Sequence, residues 1–186
     1  MKIIPGSLKR NKTVLYVVGI VILILAAIIM IGCLLPKERI EQRSIILNAP
    51  PQMVYGIVTD NGDYSYREDL YNLKIISSDN GIETWVETSR SGQKIKFRTT
   101  KKEPYSKYEF RIVEADGFGG YWKSEFKKVG DNKTEFCATE HIIISNPVIR
   151  LMSYVFFDVS KFMEGYQKDL EKEVNKRLLE AIHYKK

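Results

Sequence analysis

The sequence predicts an α+β chain in which one membrane-crossing helix precedes a curved antiparallel sheet wrapped around a long C-terminal helix. Three observations predict it. Thr13 to Leu35 is an apolar run of 23 residues without a charge. Residues 73 to 144 divide into short alternating segments separated by turn residues. Residues 147 to 182 place apolar side chains at helical spacing, with charges on the opposite side.

A helix rises about 1.5 Å per residue, so the first run reaches roughly 35 Å, enough to cross a hydrocarbon core of about 30 Å with some tilt. An isolated span must satisfy its own backbone hydrogen bonds, which leaves a helix. Buried core helices rarely run this long without a polar face, and this run has none. Lys2, Lys9, Arg10 and Lys12 precede it with no acid among them, whereas Lys37, Arg39 and Arg43 follow it interspersed with Glu38 and Glu41. This bias favours a cytoplasmic N-terminus and an outward-facing domain in the cell membrane. A basic stretch before an apolar run also describes a signal peptide, but this run is longer than the usual one. Met30-Ile31-Gly32-Cys33 resembles the lipobox of bacterial lipoproteins, so anchoring through Cys33 is the alternative. Against it, Leu34, Leu35 and Pro36 stand where lipoproteins continue with small polar residues. The expected organisation is a basic flank over 1–12, a single-pass anchor over 13–35 and one domain over 36–186.

The net charge of +6 arises mostly from the four cations before the span, so the domain itself is close to balance. It has no basic stripe of the kind a nucleic-acid partner requires. Of the two cysteines, Cys33 lies in the span and Cys137 in a strand segment, so no disulfide staples the domain. No zinc-ligand spacing is present, and no cofactor is expected.

The domain opens on a strand through Ile40, Arg43, Ile45 and Leu47, which ends at Asn48-Ala49-Pro50-Pro51. The prolines suit the first turn of a helix, and Met53, Val54, Ile57 and Val58 give that helix one apolar face. Asp60-Asn61-Gly62-Asp63 breaks it, and a second short helix or a turn is expected over Tyr64 to Leu70. Six strands follow. Leu73–Ser77 turns at Asp79-Asn80-Gly81 into Ile82–Ser89, which turns at Ser91-Gly92. Lys94–Thr100 alternates Ile95, Phe97 and Thr99 with Lys94, Lys96 and Arg98. After Pro104-Tyr105-Ser106 come the strand through Tyr108, Phe110 and Ile112, a turn at Gly117 to Gly120, Tyr121–Lys128, a turn at Gly130-Asp131-Asn132, and Thr134–Ile144. Tight turns between alternating segments make an antiparallel meander with one apolar face. Asn146 and Pro147 start the last helix. Its apolar face carries Leu151, Val155, Val159, Phe162, Met163, Tyr166, Leu170, Val174 and Leu178, of which Leu151, Val155, Phe162, Tyr166 and Leu170 are expected to pack on the sheet, and Asp158-Val159-Ser160 is a point for a kink or a new cap.

This order resembles the helix-grip fold of the START-like (SRPBCC) superfamily, which includes polyketide cyclases/dehydrases, lipid-transfer domains and plant pollen allergens. The stretch from Ile45 to Tyr55, with its Ala-Pro before a helix, is similar to the family's opening. Phe118-Gly119-Gly120-Tyr121-Trp122, Thr139-Glu140 and Asn146-Pro147-Val148-Ile149-Arg150 resemble a bacterial branch that often carries an N-terminal membrane segment. The chain departs from the pattern at Tyr64-Ser65-Tyr66, where many relatives have Tyr-Pro and a Trp at the cavity mouth.

The resemblance implies a cavity between sheet and helix that holds apolar molecules. In the residues themselves, Phe97, Phe110, Trp122, Phe126, Phe136 and Ala138 occupy the phase that faces the helix, and rings suit an apolar pocket wall as well as a plain core. Glu140 shares that phase. A buried carboxyl has a raised pKa and serves as an acid or as the anchor of a ligand's polar head; the alternative is an ion pair with a helix cation such as Arg150. His141, its strand neighbour, points to the opposite face, so the two form no dyad. No nucleophile elbow, phosphate loop or metal cluster is present. Asn132-Lys133-Thr134 matches a glycosylation sequon, which a hairpin turn explains equally. The expected ligand-cavity residues are Phe97, Phe110, Trp122, Phe126, Glu140 and Phe162. The leading functional reading is a membrane-anchored domain that binds or transfers a lipid or other hydrophobic small molecule. A cyclase- or hydrolase-like enzyme and a non-catalytic scaffold at the membrane are the alternatives.

Overall fold

A computed structural model describes residues 6–183, with side chains from residue 12 onward. The elements are α1 (Gly6–Leu34), β1 (Glu38–Leu47), α2 (Pro51–Thr59), β2 (Leu70–Asp79), β3 (Ile82–Ser89), β4 (Lys94–Glu103), β5 (Lys107–Glu114), β6 (Gly119–Gly130), β7 (Lys133–Ile143), α3 (Pro147–Phe156) and α4 (Val159–His183). They form two compact units. Among the described residues, one gathers 6–37 with Ser145–Phe157, and the other gathers Glu38–Ile144 with 158–183.

The larger unit is an α+β helix-grip fold. Its seven strands form one antiparallel sheet in the order β1-β7-β6-β5-β4-β3-β2. The chain meanders from β2 to β7, and β1 closes onto β7. Turn chemistry sets the registers. Asn80 and Gly81 both take positive φ, which a two-residue hairpin joining Asp79 to Ile82 requires. Asn132 takes positive φ in the β6–β7 turn, which accounts for the asparagine of the sequon. Register shifts in β2–β3 and β4–β5 interrupt the ladder where bulges bend strands.

At the start of α2, Pro51 occupies the first helical turn. The Thr134 hydroxyl donates to the Ala49 carbonyl at 2.7 Å, and both residues are fully buried. Between α2 and β2 the chain makes turns and no second helix, so the helix considered for Tyr64–Leu70 is absent and β2 begins at Leu70. The turns are held by side chains: Asp60 caps Gly62 N–H, and Arg177 of α4 binds Asp63 at 2.7 Å.

The C-terminal helix is two helices. Asn146 accepts hydrogen bonds from Val148 and Ile149 N–H and starts α3. The chain leaves helical geometry at Phe157. The Asp158 carboxylate then accepts from Lys161 N–H and begins α4, so the new cap falls within the expected Asp158-Val159-Ser160 stretch. The packing face of α4 is narrower than the apolar face read from the sequence. In α4 the buried residues are Val159, Met163, Gln167, Leu170 and Val174, at helical spacing, with Asp169 and Glu173 beside them. Phe162, expected inside, is 38% exposed, and Val155 belongs to α3 and is exposed. One face cannot continue through a break that resets the helical phase.

The smaller unit is α1 and α3 side by side. Gly32 lies against the Pro147 backbone with no room for a Cβ. Arg150, buried, donates through Nη1 to the carbonyls of Gly32 and Leu35 and through Nη2 to that of Ser145. The carbonyls at a helix end have no intrahelical partners, and a cation suits them. In α1, Lys12–Leu34 is long and apolar enough to cross a membrane, and its side chains face outward.

This packing predicts unequal costs for two truncations on one helix. Leu170→Ala, at a fully buried site, should cost about 2–5 kcal/mol in chemical denaturation of the detergent-solubilised chain. Phe162→Ala should cost less than about 1 kcal/mol. Equal costs would mean that α4 docks through a different face.

Candidate functional site

The inner face of the sheet carries a wall of rings that cross-strand register builds. Trp85 pairs with Phe97, Phe110 with Trp122, and Trp122 with Glu140. Opposite residues on antiparallel strands share a face, so alternation alone brings these side chains together. Trp85 stacks on Phe97 with centroids 5.5 Å apart, Phe97 meets Phe110 edge-on at 5.3 Å, and Phe110 stacks on Trp122 at 4.9 Å. Tyr166 of α4 meets the Trp122 ring edge-on and also reaches Phe136.

A charged group penetrates this wall. Arg67, from the turns before β2, binds Glu87 at 2.8 Å and Asp69 at 2.9 Å, and its guanidinium lies over the Tyr166 ring. The Trp85 indole N–H donates to the same Glu87 oxygen at 3.0 Å. Burial opposes the charge on Arg67, but Glu87 and Asp69 more than offset that and hold it protonated. Burial raises the pKa of the Tyr66 and Tyr166 phenols, which lie close to each other and to Arg67.

Glu140 completes the group. It is half-buried and, among the described residues, makes no hydrogen bond or ion pair. Withdrawal from water pushes its pKa up to about 8; repulsion from Glu87 adds to this and attraction to Arg67 partly offsets it. At neutral pH the carboxyl is therefore mostly neutral, able to donate one hydrogen bond and accept others. The cation facing it is Arg67, in place of the Arg150 considered from sequence, whose guanidinium binds main-chain carbonyls near the end of α1. His141, on the other face, stacks on Tyr121 and binds Glu38 through Nδ1 at 2.8 Å.

Of the expected residues, Phe97, Phe110 and Trp122 form the wall and Glu140 lies across from Trp122. Phe126 is buried on the same face, but its ring packs on Phe136 and on Tyr55 of α2. Phe162 stands apart, at the rim of an open and largely charged cleft of about 370 Å³ bounded by Glu68, Asp69, Lys161, Gly165, Tyr166, Lys168, Asp169 and Lys172. Tyr166 belongs to both cleft and wall. Sequence reading missed Trp85 and Glu87, although their alternation in one strand was visible. It also missed Arg67, whose loop carries no periodicity. Among the described residues no cluster of three or more His, Cys, Asp or Glu side chains is placed to hold a metal ion.

No protein-family model matches the chain, and no curated protein does. Its fold is nevertheless shared with solved structures. The chain is similar to the Zhui aromatase/cyclase of Streptomyces sp. R1128, with a TM-score of 0.66 at 12% identity over 76% of this chain and 96% of that one. It is similar to a START superfamily protein of Mycobacterium smegmatis, with a TM-score of 0.59 at 16% identity over 74% and 97%. Norcoclaurine synthase of Thalictrum flavum aligns with a TM-score of 0.60 at 9% identity over 75% and 96%. At such identities the likeness is one of fold.

The environment of Glu140 makes stability depend on pH. In the unfolded chain its carboxyl titrates near 4.5, against about 8 in the folded one. The folded state thus holds the proton more tightly, and this contribution is fully present below about pH 4.5 and lost as pH rises through about 8. The loss is on the order of 3–5 kcal/mol. Denaturant titrations at about pH 5 and pH 9 should show wild type losing more stability than Glu140→Gln. An identical loss in both would mean that the carboxyl is solvated.

Proposed function

We propose that this chain is a membrane-anchored protein that binds, or hands over, a lipid or other hydrophobic small molecule between the sheet and α4. One observation carries the reading: the aromatic wall ends at a carboxyl with no hydrogen-bond partner. A half-buried carboxyl beside apolar rings gains from any ligand group that supplies the hydrogen-bond partner it lacks. A ligand with an apolar body and a polar end would cover the rings of Phe110 and Trp122 and give Glu140 that partner. Apolar burial would supply binding at about 25 cal/mol per Å² before ordering costs are subtracted. Tyr166, between cleft and wall, is the side chain such a ligand would displace on entering.

In this reading α1 crosses the cell membrane with its N-terminus in the cytoplasm, so protease added to intact cells would digest the domain. The tether from Leu35 to β1 is short. It keeps the domain at the bilayer, where effective lipid concentration is high.

A second reading rests on the Glu140 pKa near 8, which lies close enough to neutrality for a general acid. Two of the fold's neighbours, an aromatase/cyclase and norcoclaurine synthase, are named for reactions. Here Glu140 would protonate a bound substrate, with Arg67 stabilising negative charge.

The chain has two tryptophans, Trp85 and Trp122, and both are in the wall. Intrinsic fluorescence of the detergent-solubilised chain should therefore change saturably with an accepted fatty acid, phospholipid or polycyclic aromatic. Phe110→Asp should abolish the change, while Glu140→Gln should alter which head group is preferred. A flat response across the panel in folded wild type would leave a scaffold. Intact binding with loss of turnover in Glu140→Gln would establish the enzyme.

A further inference from the structure

The unit formed by α1 and Ser145–Phe157 presents apolar surface beyond that of the crossing helix. α3 has a single charge, Arg150, and its guanidinium points inward onto the carbonyls of Gly32, Leu35 and Ser145. Outward it presents Val148, Ile149, Met152, Val155 and Phe156, with Val155 63% and Phe156 74% exposed. A contiguous apolar face of this kind marks an interaction surface.

Its position along α1 identifies what covers it. Arg150 binds the carbonyl of Gly32, in the last turn of the span, and that of Leu35 just beyond it. Gly32 lets the Pro147 backbone approach where any side chain would keep it away. α3 is therefore fixed to the end of α1, which in the membrane-crossing reading lies where hydrocarbon gives way to headgroups. Helices with one apolar face lie at that boundary with the face toward the acyl chains, and aromatic side chains favour the same zone. α1 and α3 pack on each other within one compact unit, and both present exposed apolar side chains.

We propose that α3 is an interfacial membrane helix, seated in the lipid boundary beside the end of α1, so that the chain engages the bilayer twice. This rests on the reading of α1 as the crossing helix. The chain runs from β7 into α3 and from α3 into α4. A lipid-seated α3 thus tethers the start of the helix that carries Tyr166.

The test uses the full chain in nanodiscs of phosphatidylcholine and phosphatidylglycerol. Cys33 and Cys137 are replaced by serine, and an environment-sensitive fluorophore is attached through Ile24→Cys, in the middle of α1, or Val155→Cys, with Met152→Cys as a second α3 position. Spin-labelled lipids then act as depth-dependent quenchers. The proposal expects the residue 24 probe to be quenched best by lipid labelled deep in the acyl chain. It expects the probes at 155 and 152 to be quenched roughly two-fold better by lipid labelled near the headgroup. Quenching at 24 without quenching at 155 and 152 would overturn the α3 proposal and leave α1 as the anchor. Shielded α3 probes that no lipid quenches would point to a protein partner and overturn it equally. No quenching at 24 would overturn the reading of α1 and the proposal with it.

Discussion

A guanidinium among aromatic rings must be matched on every side, and the Arg67 ion pair with Glu87 is the interaction on which the interior depends. Taking both charges out of water costs several kcal/mol per ion, which their attraction offsets only when the remaining hydrogen-bonding groups are satisfied. Here they are: Asp69 takes the other edge of the guanidinium, the Trp85 indole holds the Glu87 carboxylate, and the Tyr166 ring covers the cation. The pair ties the turns before β2 to the sheet. Asp169 of α4 accepts the Glu68 N–H at 2.9 Å and draws the same turns to the helix. Loop, sheet and helix thus meet at one charged point. Glu140, in the same field, is the group that this network does not satisfy.

In the proposed reading, that arrangement separates a holding role from a receiving role. Arg67 and Glu87 are mutually saturated and fix geometry. Glu140 retains its hydrogen-bonding capacity, is mostly neutral at pH 7, and lies across from Trp122 at the end of the rings. In the proposed reading, a neutral carboxyl beside the rings would distinguish ligands by their polar end.

Much of the fold was readable because it follows from period and punctuation. Asp79-Asn80-Gly81, Asn146-Pro147 and the alternation around Phe97 and Phe110 each specify local geometry directly. The C-terminal helix was less readable. Its apolar residues continue at near-helical spacing through Asp158, where the extended backbone of Phe157 and the capping bond from Lys161 N–H to Asp158 separate α3 from α4. Phe162 therefore stands at the cleft rim, and Met163 takes the inner position. The place of Glu140 was legible through its strand phase. Its neighbour Arg67 was not, because an irregular loop can deliver a side chain from many directions and no periodicity constrains it. The docking of α3 on α1 depended on Gly32 and Arg150, residues far apart in the chain whose relation appears only in three dimensions.

The central claim is that the rings around Trp122 and the carboxyl of Glu140 receive a hydrophobic ligand. Native mass spectrometry of the full chain, released from its own membranes in mild detergent, tests this most directly. The account predicts a stoichiometric non-covalent adduct on wild type that is absent from folded Phe110→Asp and altered in identity on Glu140→Gln. An adduct-free wild type that also stays empty when a membrane lipid extract is added would contradict it.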